Sequence, residues 1–318
     1  MSASSSDSSA STSDQQLSAK ANGPGGGKIV AGCLSPHPPH LVYASNPEEN
    51  APRSSGAGAW KPLLEGYEKL RASLTKKDYD VIVVHTPHWK TRIGHHFLGV
   101  PHFEGLSVDP IFPNLFQFNF DLNVDVDLAE AIAAEAGERG LITAMMRNPE
   151  FRVDYGTITS TYLTHPNFDV PVVAISSARS YFDYSNEVGE REMLTLGAAT
   201  RAAIEKSGKR ALLLASCSLS HRHFTQEPAD PEDPRFEYIY NANQAKWDQH
   251  ILGLMESGQS QRILDEMPDF IEQSVSECKD GSLTWLLGAM GVPNTPAIVH
   301  GYGTVIGTGN AVVEWEQL

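Results

Sequence analysis

Histidine both ligates metals and moves protons near neutral pH, and in this sequence of 318 residues it gathers where short apolar runs end. His37 and His40 stand in "SPHPPH", directly after "KIVAGCL" (28–34). His85 and His88 stand in "HTPH", at the close of "YDVIVVH" (79–85). His221 and His223 stand in "SHRH", at the close of "RALLLASCSLSH" (210–221). One histidine at a strand end is usually a hydrogen-bonded structural residue. Three runs ending alike point to one shared crevice if the runs are neighbours. A further polar cluster, "FRVDYGTIT" (151–159), sets Asp154 and Tyr155 before a glycine, as loops lining a site do.

Metal binding is the economical use of such imidazoles. Pro36, Pro38 and Pro39 hold the first segment near polyproline II geometry, where residues three apart share a face but lie about 9 Å apart at roughly 3.1 Å per residue. His37 and His40 are therefore not expected to share an ion, and one histidine per segment is the physical expectation. Two neutral imidazoles and one carboxylate form the facial triad of non-haem Fe(II) enzymes, with open positions for oxygen and substrate. A closed zinc site wants four ligands, usually with thiolates, and Cys33, Cys217 and Cys278 are isolated from one another. For the carboxylate, "PDFIEQSVSECKDGSLTWLLGAM" (268–290) reads as a helix broken near Gly281 and carries Asp269, Glu272 and Glu277. Helical spacing puts Glu277 on the face of Phe270 and Ser274 but does not select among the three acids. A serine hydrolase would need a G-x-S-x-G elbow, which is missing here, and "GYGTVIGTG" (301–309) reads as a glycine-rich turn and strand, since its spacing is not that of a phosphate loop.

The elements that must position these groups are alternating strands and helices. The runs at 28–34, 79–85, 170–177 and 210–221 are continuously apolar, as strands buried on both faces are. Between them, 59–74, 125–140 and 192–208 show apolar residues at helical spacing. The expected fold is α/β, an αβα sandwich around a central mixed, mainly parallel sheet, with the active site at the carboxyl ends of the strands. Residues 1–28, rich in serine and then glycine, read as a disordered tail, leaving 29–318 as one catalytic domain. Acidic residues outnumber basic ones, 39 to 24, for a formal charge of −15; nucleic acid is not an expected partner. No apolar run approaches the roughly 20 residues of a membrane helix. An odd number of scattered cysteines and no signal-peptide pattern lead to an expectation of a reducing cytoplasm.

Taken together, "SPHPPH", "VVHTPHW", "DYGT", "SLSHRHF" and the acidic stretch before "TWLLGAMG" resemble the class III extradiol ring-cleavage dioxygenases, the family that includes the β subunit of protocatechuate 4,5-dioxygenase. The resemblance runs from about residue 28 to the C-terminus. The longer blocks "SPHPPHLVY", "HHFLGVP", "SVDPIFPN", "MMRNPEFRVDYGTIT" and "GYGTVIGTGNAVVEW" are most similar to the branch acting on 2-aminophenol.

That resemblance implies Fe(II) held by His37, His88 and Glu277, with His221 as acid/base and Tyr155 as its substrate-contacting partner. His223 joins the catalytic group, and His40, His85 and Arg222 are placed among substrate contacts. The implied reactants are an aromatic ring bearing ortho hydroxyl or amino groups and O2, opened to a muconic semialdehyde. Arg222 departs from the aminophenol branch and is similar to the Ser-His-Arg of homoprotocatechuate 2,3-dioxygenases, so a carboxylated catechol is the alternative substrate. A non-catalytic member of the fold would be expected to lack a ligand, whereas His37, His88, Glu277 and His221 are all present. The family implies either a homologous, non-metal-binding α subunit in a heterotetramer or a homo-oligomer.

Overall fold

The computed structural model describes residues 26–45, 60–89, 91, 93–108, 117–177, 186–222, 239 and 241–316. Its strands are β1 (Lys28–Leu34), β2 (Val81–Thr86), β3 (His95–Leu98), β4 (His102–Val108), β5 (Gln117–Asn123), β6 (Thr143–Met146), β7 (Val172–Ser177), β8 (Arg210–Ala215), β9 (Ile298–Val305) and β10 (Thr308–Glu316). Its helices are α1 (Pro39–Ser45), α2 (Lys61–Leu74), α3 (Val126–Glu138), α4 (Tyr155–Thr164), α5 (Asn186–Ser207), α6 (Ala242–Glu256), α7 (Ser260–Asp265), α8 (Met267–Ser274) and α9 (Gly281–Met290), with a 3-10 turn at Glu277–Asp280.

Eight strands form one sheet in the order β6-β3-β7-β2-β8-β1-β10-β9, and β4 pairs with β5 apart from it. The four continuously apolar runs make the middle, where β7, β2, β8 and β1 are all parallel. The flanks are mixed: β3 runs antiparallel to β7, and β10 runs antiparallel to both β1 and β9. Alternation along β2 divides the core. Val81 and Val83 pack with α3, α5 and α9, while Ile82 and Val84 pack with α2 and α4. Both faces are thus covered by helices, which is why the middle strands can be apolar throughout. The expected αβα sandwich with a mixed sheet is the fold observed.

Two local expectations are corrected. The segment after β1 is not extended throughout, because α1 begins at Pro39. Proline is tolerated in a first helical turn, where its missing N–H has no partner to lose. The 268–290 segment breaks before Gly281: α8 ends at Ser274, Val275 adopts a left-handed conformation (φ 52°), and Glu277 opens the separate 3-10 turn. Of the expected tail, residues 1–25 lie outside the described residues.

Candidate metal centre and active site

Because β1, β2 and β8 are adjacent and parallel, the residues following them meet at one end of the sheet. His37 follows β1, His88 follows β2 and His221 follows β8; the Glu277 turn closes over them. His37 Nε2 and His88 Nε2 face each other at 2.6 Å. Glu277 Oε1 lies 3.4 Å from the first and 3.0 Å from the second. His221 Nε2 stands 3.5 Å from the same oxygen, and the Tyr155 hydroxyl is 3.0 Å from His88 Nε2. One histidine per strand end with one distant acid is the arrangement observed for the set that could hold a metal ion.

Neighbours decide what these donors can do. Ser216 donates its hydroxyl proton to the Gly156 carbonyl at 3.0 Å, so its lone pair accepts Nδ1–H of His37 at 2.9 Å. That bond points His37 Nε2 at the cluster. Burial, and then the neighbouring His37, pull the pKa of His88 down, so its imidazole is neutral as a ligand requires. Burial works against ionising Glu277, but the imidazoles of His37 and His88 and a hydrogen bond from His221 outweigh it and hold the carboxyl well below its usual range. Its other oxygen accepts Ser218 N–H at 3.1 Å. Two imidazole nitrogens and one ionised, oriented carboxylate within such a short span fit a divalent cation. A second trio, His102, Glu104 and Asp121, is wholly exposed on β4 and β5.

The frame is equally specific. Tyr67 donates to the Pro36 carbonyl at 2.5 Å and Ser160 to the Ser35 carbonyl at 2.8 Å, which fastens the turn presenting His37. Asp154 caps α4 by accepting Thr157 N–H at 3.0 Å and also takes the Thr86 hydroxyl at 2.7 Å. Tyr155 is thereby tied to the end of β2. A Cβ on Gly156 would lie 2.6 Å from Thr86 Oγ1 and 3.1 Å from His88 Cδ2, so only glycine permits this approach.

A cavity of about 150 Å³ opens onto the cluster, roughly the size that accommodates a single benzene ring. His37, His88, Glu277, His221 and Tyr155 line it, and so does His40. His40 packs edge-on against Trp60 and is pushed down to about 4 by burial, so it is neutral at neutral pH. His85 is placed elsewhere: sharing the pleat face of Val81 and Val83, it stacks on Trp285 and joins Ser282 Oγ and Ser177 Oγ, each at 2.8 Å, beneath the sheet end. Arg222 is buried and is not among the described residues lining the cavity; its backbone N–H donates to Thr308 Oγ1 at 3.1 Å. His223 lies outside the described residues.

Sequence reasoning missed Ser216 and Ser218, which bond to two of the three candidate ligands, and missed the wall formed by Val305, Ile306, Thr308 and Asn310. A signal existed in "SCSLSH", whose serines alternate with apolar residues, placing the hydroxyls on one face of an extended strand end.

Comparison with known proteins agrees with this geometry. A family model described as "Catalytic LigB subunit of aromatic ring-opening dioxygenase" matches residues 31–313. The chain is 52% identical over 289 residues to the 2-aminophenol 1,6-dioxygenase beta subunit of a Pseudomonas species, covering 91% of this chain and 94% of that one. It is 30% identical to the alpha subunit from Pseudomonas, over 78% of this chain and 86% of the other. It is 24% identical to 3,4-dihydroxyphenylacetate 2,3-dioxygenase of Escherichia coli, over 83% and 91%. An uncharacterized protein of Escherichia coli K12 superposes with a TM-score of 0.58 at 14% identity, covering 90% of this chain and 99% of that one, which is a likeness of fold.

Proposed function

Since this chain belongs to the catalytic LigB subunits of aromatic ring-opening dioxygenases and is a ring-cleaving dioxygenase, we propose that it uses Fe(II) at His37, His88 and Glu277 to open the ring of 2-aminophenol or a close relative. The observation carrying this reading is the convergence of two imidazoles and one ionised carboxylate at the floor of a ring-sized cavity. Iron held there would bring the ortho amino and hydroxyl groups of the substrate together with oxygen.

The protein's own groups do the rest. His37, His88 and Glu277, clustered on the cavity lining, would hold the ion. His221, on the cavity wall, takes the proton from the substrate hydroxyl and returns one as the ring opens. Tyr155 hydrogen-bonds the ring's heteroatom from the neighbouring position. Pro38, Pro39, Val305 and Ile306 keep water from the ring. The product expected from 2-aminophenol is a 2-aminomuconic semialdehyde.

The described lining holds no lysine or arginine, which favours an uncharged ring over a carboxylated catechol such as homoprotocatechuate. The identity to both a beta and an alpha subunit supports pairing with a homologous α chain in a heterotetramer. The test is anaerobic loading with Fe(II), followed by oxygen uptake with 2-aminophenol, catechol and homoprotocatechuate, for the chain alone and with an α chain. Ring opening fastest with 2-aminophenol, and iron near one per subunit that disappears in His88→Ala, are expected. Absence of a ring-opened chromophore from every substrate defeats the reading; preference for homoprotocatechuate overturns the choice of substrate.

A further inference from the structure

The loop carrying His221 is held from two sides by groups outside the cavity. On α6, Gln244 and Asp248 lie one helical turn apart on one face, 1% and 0% exposed. Asp248 accepts Ser220 N–H through Oδ1 at 2.8 Å, and through Oδ2 the Ser220 and Tyr302 hydroxyls, each at 2.8 Å. Gln244 Nε2 donates to the His221 carbonyl at 3.2 Å and to the Ser274 carbonyl at 2.8 Å. The Ser274 carbonyl also receives His221 N–H at 3.3 Å.

From the other side, β10 pairs with the same loop. Leu219 N–H donates to the Gly309 carbonyl at 2.9 Å and Gly309 N–H to the Ser220 carbonyl at 3.0 Å. A Cβ on Gly309 would fall 1.9 Å from Asp248 Oδ2, so the sheet approaches the carboxylate as closely as a backbone can. Burying an acid is costly even when hydrogen-bonded, and burial pushes Asp248 up to about 6. Such an expense is common where a group holds a functional neighbour in place.

We infer that Gln244 and Asp248 are positioning residues for His221, fixing its backbone so that the imidazole keeps one attitude over Glu277 and the bound ring. The inference rests on His221 being the proton carrier of the proposed reaction. Among the described hydrogen bonds, those of Gln244 and Asp248 go to Ser220, His221, Ser274, Tyr302 and Asn241 and not to His37, His88 or Glu277, so their loss is expected to act on proton transfer and not on metal or substrate binding.

Two measurements test it on the full chain: steady-state kinetics of the iron-loaded enzyme, and ring resonances of ¹⁵N-histidine in the metal-free protein. Gln244→Ala and Asp248→Ala are each expected to lower kcat about tenfold or more, with KM and iron content within about twofold of the parent. The His221 resonance should shift in both variants while those of His37 and His88 stay. Asp248→Asn should recover most of kcat, because its oxygen still accepts Ser220 N–H and both hydroxyls can turn to accept from its amide. An unmoved His221 signal, or a loss of kcat matched by loss of iron or of folded protein, overturns the inference. If Asp248→Ala does not fold, Gln244→Ala and Asp248→Asn decide it. Should the parent open no ring at all, the proposed function fails, while the resonances still answer for the positioning.

Discussion

At the scale of single residues, hydroxyl-bearing residues orient two of the candidate ligands, Ser216 at His37 and Ser218 at Glu277. Ser216 has one proton and gives it to Gly156, and that obliges His37 to spend its Nδ1–H on Ser216. Ser216→Ala removes this constraint, and metal affinity is expected to fall by about 10- to 100-fold, the usual effect of deleting a group that orients a ligand; competition against a chelating dye measures it. The histidines themselves were legible because strand ends in an α/β sheet are where sites form, and three such ends carried imidazoles. Serine is too ordinary a residue to be noticed, so its part emerged only with the hydrogen bonds. Glu277 was not legible from periodicity, since the left-handed Val275 ends the helix on which its spacing would have had meaning. The resemblance of the surrounding blocks singled it out instead. His85, on the face of Val81 and Val83, packs instead against Trp285 and Ser282, a placement its position in the strand did not announce.

Among elements, the four middle strands were readable as unbroken apolar runs, and α2, α3 and much of α5 as periodic ones. The short edge strand β6 and the β9–β10 hairpin were harder, because partly exposed segments rich in glycine or threonine carry no clean alternation. Yet that hairpin supplies a wall of the cavity. Its two-residue turn demands positive φ at both positions, met by Ile306 (φ 48°) and Gly307 (φ 77°). A β-branched residue in that conformation costs about 1–2 kcal/mol, a strain consistent with the use of the Ile306 side chain as cavity wall. Ile306→Asn suits the turn better but removes the apolar surface. KM for 2-aminophenol is expected to rise about tenfold, as loss of roughly 1–2 kcal/mol of apolar contact implies, with a smaller change in kcat; steady-state rates over a substrate series check this.

For the molecule as a whole, composition and alternation announced an α/β domain with a covered sheet, but they said nothing of the charges inside it. Glu314 on β10 is fully buried, bonded to His300 at 2.8 Å and Ser73 at 3.0 Å and paired with Lys77 at 3.3 Å, so it joins α2 to the sheet's edge hairpin. Burial opposes its charge, yet those partners prevail and lower its pKa. A carboxyl depressed in the folded state stabilises above its unfolded pKa and loses that contribution as pH falls through the folded value. Glu314→Gln is therefore expected to cost about 2 kcal/mol at neutral pH, with the gap to the parent closing on acidification below the ordinary glutamate range. Urea unfolding at a series of pH values measures it.

Two of the proposed ligands follow strands of the apolar sheet and the third opens a 3-10 turn beside it, none of them part of the packed core, so a bound ion would be a guest in a finished house. Stripping it with a chelator should leave the circular dichroism spectrum and melting cooperativity essentially unchanged, unlike a zinc finger, which collapses without its metal. On the Fe(II) proposal, an enzyme organised this way would be emptied when its iron over-oxidises and charged again with fresh ferrous ion, and its working lifetime would be set by resupply and not by refolding.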